Sequence, residues 1–447
     1  MTTPLIFLSY SPLFIPVLYR FIFKRISLVD PILLLSGYTF ASFIHFSLNI
    51  TDFLIDFNYL LIVFISNIIY ILSYFYFFQK TQYKESKQIS NYDLISINHK
   101  RIGILYYIPA LILLFFIGFY SIKNGFSILD IRKDVGSLPF YFLINPIIVS
   151  LGPCIFIRNL LIKKQNKIFL VIPILVSLSS IMLGSTSGLI AFSISSYYYY
   201  KIYRNEFIPS FSFRSLFNII LKLLVDLKIK SSNYYRFIFF SISSLSIFLF
   251  YGYLRILRIG EYQISGLFFL KILDLISSRF DSLFNSLNLI SQFGLNVCPT
   301  DVLYSKPFHL LYFFLPRSIF PDKPLPINAI FSMKSISNLP FDTDGFPTVT
   351  LDHGIYLSSI CDLQWFLYPI VFIFAGGLAG YMSKKATIIS SNNISFNYRI
   401  KTLFVILCLG NISYSIMLTQ LSRNFAEYIL QFIIICLIAL ITRIRLK

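Results

Sequence analysis

Long apolar runs separated by short polar stretches repeat along most of the chain. They fall at 4–23, 29–50, 57–78, 102–121, 140–160, 168–184, 188–203, 236–254, 366–382, 400–420 and 427–442. A helix of about 20 apolar residues crosses a bilayer core, and helices satisfy their own backbone hydrogen bonds there. The pattern therefore predicts an all-α fold, a polytopic transmembrane helical bundle of about 11 spans. Only Gly184-Ser185-Thr186-Ser187-Gly188 divides the sixth run from the seventh, and its glycines permit a tight hairpin. The repetition breaks once, between Arg255 and Trp365. No part of those roughly 110 residues is both long and apolar enough to span comfortably. Three regions follow: 1–254 with spans one to eight, a large loop at 255–365, and 366–447 with the last three spans and a tail.

Basic residues fall in alternate loops. One set holds Lys24 and Arg25, then Lys80 to Arg101, Lys163 to Lys167, the 201–236 segment, Lys384 to Lys401, and the tail Arg443, Arg445 and Lys447. The opposite set includes the short loop with Asp52 and Asp56. The positive-inside rule makes the first set cytoplasmic. Parity then predicts an outside N-terminus, a cytoplasmic C-terminus and an extracytoplasmic 255–365 loop. The N-terminal run has no basic start or small-residue cleavage site, so it reads as a mature helix. Within 201–236, Phe217, Ile220, Leu221 and Leu224 share one side of a stretch suited to the cytoplasmic lipid surface.

Composition agrees with that reading. The chain is 56% apolar and 13% charged, against about 25% charged in soluble proteins. Its net charge of +19 would suggest nucleic acid in a soluble protein. Here the cytoplasmic loops account for it, and no nucleic-acid partner is expected. The five cysteines form no CxxC or His-Cys cluster, so no metal site is expected. Cys298 and Cys361 share the large loop, where an oxidising compartment would permit a disulfide that spacing alone does not decide.

Candidate chemistry collects in that loop. Residues 266–290 have helical period, with Ile272, Ile276, Phe280, Leu283, Leu287 and Ile290 on one stripe. Arg279 interrupts the stripe. It either snorkels to a head group or waits for an anionic ligand. Arg255 and Arg258 lie one turn apart at the outer end of span eight. They suit bidentate phosphate binding, although Arg258 could instead pair with Glu261. Arg317 and Lys323 stand in a run stiffened by Pro316, Pro321 and Pro324, which also fits a plain structural loop. Asp342-Thr343-Asp344-Gly345 reads as an Asx turn, since it lacks the remaining ligand spacing of a calcium loop. Asp352-His353 is the candidate pair for proton transfer, because a carboxylate can orient a histidine or raise its basicity. A lone histidine is also commonly structural.

Three segments carry a resemblance. Pro316-Arg317-Ser318-Ile319-Phe320-Pro321-Asp322-Lys323-Pro324 is similar to a motif of the O-antigen and exopolysaccharide repeat-unit polymerases (Wzy-type). Ser278-Arg279-Phe280-Asp281-Ser282-Leu283 and Phe126-Ser127-Ile128-Leu129-Asp130-Ile131-Arg132 resemble further segments of that family. So does the arrangement of many spans with one large late loop. Two features depart from the family. Its members often have an arginine at the hairpin that Gly184–Gly188 occupies here. Many also carry a Gly-Glu and Asn-Phe-Gly stretch where this chain has Asp352-His353-Gly354. His353 therefore rests on chemistry alone.

The resemblance implies glycosyl transfer at the outer face of a bacterial inner membrane. The substrate would be an undecaprenyl-pyrophosphate-linked oligosaccharide, and a second lipid-linked repeat unit would accept it. Arg132, Arg255, Arg258, Arg279, Arg317 and Lys323 would bind pyrophosphate, with His353 and Asp352 as the catalytic pair. No cofactor is implied. Membrane lipid, a chain-length regulator and a flippase would be the partners. The rivals are an O-antigen ligase, which has similar architecture and another acceptor, and a lipid-oligosaccharide flippase or other transporter. Transporters tend to place charges mid-span, whereas these span centres are nearly uncharged.

Overall fold

The structure is a computed structural model. It describes residues 2–23, 30–48, 57–81, 99–125, 151–157, 168–182, 282–294, 327–335 and 354–390, with short pieces and single positions elsewhere. The described elements are almost all helical. They are α1 (Thr2–Tyr10), α2 (Ile15–Ile22), α3 (Pro31–Leu48), α4 (Phe57–Lys80), α5 (His99–Lys123), α6 (Ile168–Met182), α7 (Ser282–Phe293), α8 (Ile327–Ser335), α9 (Gly354–Leu367) and α10 (Pro369–Ile389). Two two-residue extended pieces, Ile26–Ser27 and Ser210–Phe211, accompany them. The chain forms two compact units. One joins Met1–Ile97 to Phe280–Lys447; the other is Asn98–Arg279.

Among the described residues, three helical stretches are long and apolar enough to cross a membrane: Pro4–Ile22, Phe57–Lys80 and Gly103–Lys123. The first contains a 3-10 turn at Ser11–Phe14, where Pro12 and Pro16 each remove a backbone donor. The runs predicted at 29–50 and 168–184 are helical as α3 and α6. The run predicted at 366–382 is helix α10, which starts at Pro369 and continues through Lys384 and Lys385. The predicted span 236–254 and the amphipathic 214–230 stretch lie outside the described residues.

The core of the first unit is the seam between α4 and α10. Gly376 and Gly380, four residues apart on α10, lie against the backbone of α4. A Cβ on Gly376 would overlap the carbonyl oxygen of Tyr70, and one on Gly380 would overlap that of Tyr74. Helices approach this closely only where side chains are absent, the small-xxx-small rule of membrane helix pairs. Ser73 Oγ completes the seam by donating to the Ile373 carbonyl at 2.6 Å. The seam buries Tyr70, Tyr74, Phe372, Ala375, Ala379 and Met382.

The faces of α4 are inverted relative to a water-soluble helix. Its inward side buries Ser66, Asn67 and Ser73 as well as apolar groups, while Leu61, Ile65, Ile68 and Leu72 point outward. Apolar outside and polar inside is the arrangement hydrocarbon favours, because a buried hydroxyl or amide must find a protein partner. Asn67 finds two. Its Nδ2 donates to the Ser9 carbonyl at 2.9 Å, and its Oδ1 accepts from Tyr356 Oη at 2.7 Å. One amide thus links α1, α4 and α9.

In the second unit α5 packs on α6. Gly152 faces the Tyr106 ring, which would lie 3.3 Å from an added Cβ, and Asn159 Nδ2 donates to Tyr107 Oη at 2.7 Å. Beyond the C-terminal end of α5, Asp134 Oδ2 accepts from Asn124 Nδ2 at 2.9 Å and lies 3.9 Å from Lys123 Nζ. Ile131 and Val135 are fully buried beside it.

Candidate functional site

The segment 282–367 contains three described helices, α7, α8 and α9, and each packs on the other two. α7 buries Ser286, Leu287, Leu289 and Ile290. That face includes the predicted apolar positions Leu287 and Ile290 and widens over Ser286. α9 starts at Gly354, whose φ of +70° favours glycine. A Cβ there would meet Ser286 Oγ of α7 at 3.8 Å. The first residues of α9, Ile355 to Cys361, are buried throughout.

A disulfide closes the arrangement. Cys298 is bonded to Cys361, 63 residues away in sequence, with a Cα–Cα distance of 5.1 Å. Cys298 lies just beyond α7, after Gly294, which has a φ of +61°. Cys361 lies midway along α9. Closing a loop of this length restrains the unfolded chain by about 4 kcal/mol in the chain-entropy account. The closed segment contains Arg317, Lys323, Asp352 and His353.

Those four residues lie outside the described residues, as do Arg132, Arg255, Arg258 and Arg279. The structure therefore places their neighbours in the chain. Ser282, which opens α7, follows Arg279 by three residues, and Ile327, which opens α8, follows Lys323 by four. Gly354, which opens α9, directly follows His353. The helices downstream of three candidate residues thus pack as one group. Arg132 directly follows Ile131, which is fully buried.

A second polar cluster is one that hydropathy alone passes over. Arg20 near the end of α2 and Asp30 just before α3 form an ion pair, with Nε 2.5 Å from Oδ2 and side-chain exposures of 2% and 0%. Arg20 Nη1 also donates to the Ser383 carbonyl at 3.2 Å and to Thr387 Oγ1 at 2.6 Å. Ser383 Oγ donates to Asp30 Oδ1. The Ile32 N–H reaches the same carboxylate oxygen at 3.2 Å, so Asp30 caps α3. The Arg20 guanidinium lies 5.5 Å from the centre of the Phe78 ring, and Lys384 Nζ lies 5.1 Å from it. Charges at this depth persist only with partners, and these partners tie α2, α3 and α10 together. Its chemistry is that of a clamp. The available sequence signal was Arg20 inside an apolar run, ten residues before an Asp-Pro helix start.

Compared with protein-family models, curated proteins and solved structures, the chain finds no match.

Proposed function

We propose that the chain is a polysaccharide repeat-unit polymerase of the Wzy type. It would transfer a growing undecaprenyl-pyrophosphate-linked glycan onto a lipid-linked repeat unit at the outer face of the inner membrane. In this reading about 11 spans carry the 255–365 loop outside, with the N-terminus outside and the C-terminus cytoplasmic. The observation that carries the proposal is the loop closed by Cys298 and Cys361, whose sequence contains the proline-rich run with Arg317 and Lys323 together with Asp352 and His353. A disulfide suits an oxidising, extracytoplasmic compartment. Cations on that side are ones the positive-inside rule does not ask for.

The acceptor sugar hydroxyl would attack the anomeric carbon of the donor glycan. The bond from that carbon to the lipid pyrophosphate breaks, and the pyrophosphate leaves with its electron pair. Arg317 and Lys323, with Arg132, Arg255, Arg258 and Arg279, would stabilise the leaving charge. His353, oriented by Asp352, would take the hydroxyl proton. The lipid pyrophosphate is itself the leaving group, so no nucleotide sugar enters the reaction.

Arg317→Lys is the sharpest test of the phosphate grip. It keeps the charge and loses the planar fork, so polymer length in a complemented deletion strain should fall sharply at normal expression. Wild-type polymer from Arg317→Ala would remove Arg317 from the site. Arg279→Leu completes an apolar stripe and should leave folding intact or improved while abolishing polymer. An Arg279→Leu protein that unfolds would assign Arg279 to a structural ion pair. One that folds and polymerises would leave it a snorkelling residue.

A further inference from the structure

We infer that the end of the bundle where α4 and α10 finish side by side is a binding site for an anionic phospholipid, with Lys80 and Lys384 on its head group. The site depends neither on polymerase activity nor on which side of the bilayer this end faces. α10 runs parallel to α4, because Gly376 lies against Tyr70 and Gly380, one turn on, lies against Tyr74. Their C-terminal turns therefore share one end. α2 finishes there too, since Arg20 Nη1 reaches the Ser383 carbonyl and Thr387 Oγ1. The charge of Arg20 is met by Asp30. Lys80 and Lys384 are placed differently. Among the described residues the ion pairs are Arg20–Asp30 and Lys123–Asp134, and neither of these two lysines takes part. Lys384 Nζ lies 5.1 Å from the centre of the Phe78 ring. Lys80 Nζ donates to Tyr76 Oη at 3.0 Å and lies 5.2 Å from the centre of that ring. An aromatic face steers an ammonium without neutralising it. Both charges thus stand ready for an anion from outside the chain.

Exposed apolar side chains lead up to both lysines. On α10, Ile370, Phe374, Gly377, Tyr381 and Lys384 recur at steps of four and three residues, so they share one face. Ile370 and Phe374 are exposed on it. On α4, Leu72, Tyr76 and Lys80 are one turn apart, and Leu72 and Tyr76 are exposed. Phe77 lies between the two helices, where its ring would be 2.8 Å from a Cβ on Gly377. Each helix therefore carries apolar contacts along its shaft and a cation near its end. A diacyl phospholipid has the same order of groups, acyl chains and then phosphate. The Tyr76 ring and hydroxyl stand at the junction, as amphipathic aromatics do at a membrane interface. A lone snorkelling lysine meets head groups in passing. Here the close seam holds the backbones of two lysines at a fixed spacing, so one head group can engage both. Basic sites between membrane helices recognise anionic lipids in this way. A zwitterionic head group would bring its own cation against the lysines, and a soluble phosphate would leave the apolar contacts unused.

The test uses the full chain, purified in detergent and followed by native mass spectrometry. Phosphatidylglycerol, phosphatidylcholine with the same acyl chains, and glycerol 3-phosphate are titrated separately. Phosphatidylglycerol should be retained at about tenfold lower concentration than phosphatidylcholine, and glycerol 3-phosphate should not be retained. Lys80→Gln and Lys384→Gln should each weaken phosphatidylglycerol retention about fivefold, and the double variant about 25-fold. Lys80→Arg/Lys384→Arg, which keeps both charges, should retain the lipid. Lys123→Gln, at the end of α5, should change nothing. Equal retention of the two phospholipids, or undiminished retention in the double glutamine variant, would overturn the site. Glycerol 3-phosphate held as tightly as phosphatidylglycerol would overturn the lipid as its occupant. A loss in Lys123→Gln equal to that in Lys80→Gln would show diffuse attraction and overturn the site as well. Should the double variant aggregate, the single variants decide, and no loss in either overturns the site.

Discussion

Gly380→Ala should destabilise the protein by about 2–3 kcal/mol, because the new methyl has backbone against it and no flexible side chain to displace. A Cβ at Gly380 would overlap the Tyr74 carbonyl, so α4 and α10 must separate. Separation also weakens the bond from Ser73 Oγ to the Ile373 carbonyl, worth about 1 kcal/mol more. Gly376→Ala should behave alike, since it meets the Tyr70 carbonyl one turn earlier. Gly377→Ala meets the edge of the Phe77 ring at 2.8 Å, which can rotate, so its effect should be smaller. Gly118→Ala on α5 has nothing within 4 Å and should be neutral or stabilising by up to about 1 kcal/mol. Thermal unfolding in detergent, followed by loss of the monodisperse peak, orders the four variants. A Gly380→Ala protein as stable as Gly118→Ala would contradict the close seam.

Asp30→Asn should have a comparable or larger effect for a different reason. Asn still caps α3, so the helix start is preserved. The Arg20 guanidinium, however, loses its counter-charge at 2% exposure. Breaking a buried pair from one side costs about 3–5 kcal/mol, whereas replacing both partners with neutral groups is often close to neutral. Arg20→Met/Asp30→Asn should therefore recover much of the loss seen in either single variant. A double-mutant cycle on unfolding midpoints measures this. Additive losses would show that Arg20 and Asp30 act independently, against the geometry of the clamp.

These two features mark where hydropathy stopped being informative. Apolar runs bounded by polar loops located the helices at Pro4–Ile22, Pro31–Leu48, Phe57–Lys80 and Ile168–Met182 within a few residues. Burial in hydrocarbon leaves a strong local imprint on composition. The seam did not stand out, because Gly376 and Gly380 lower hydropathy and their meaning lies in a helix 300 residues away. The end of α10 was read too early at 382, since Lys384 and Lys385 resemble loop residues. In the structure Lys384 lies over Phe78 and Lys385 over Tyr381, and the helix runs on. Asn67 and Asp30 were likewise invisible as partners, because the groups they bind, Tyr356 and Ser383, are set by packing. In the candidate site, the pairing of Cys298 with Cys361 was open to reading from sequence as one option. The pairing stayed undecided there because it depends on α7 meeting α9.

The activity we propose is glycan polymerisation from lipid-linked repeat units. It is tested most directly by deleting the gene and separating the cell's polysaccharide by gel. That activity predicts that the long ladder collapses to single repeat units still attached to their lipid acceptor, and that the wild-type gene restores the ladder. Full-length polymer that accumulates without its final acceptor, or a ladder unchanged by the deletion, would contradict it.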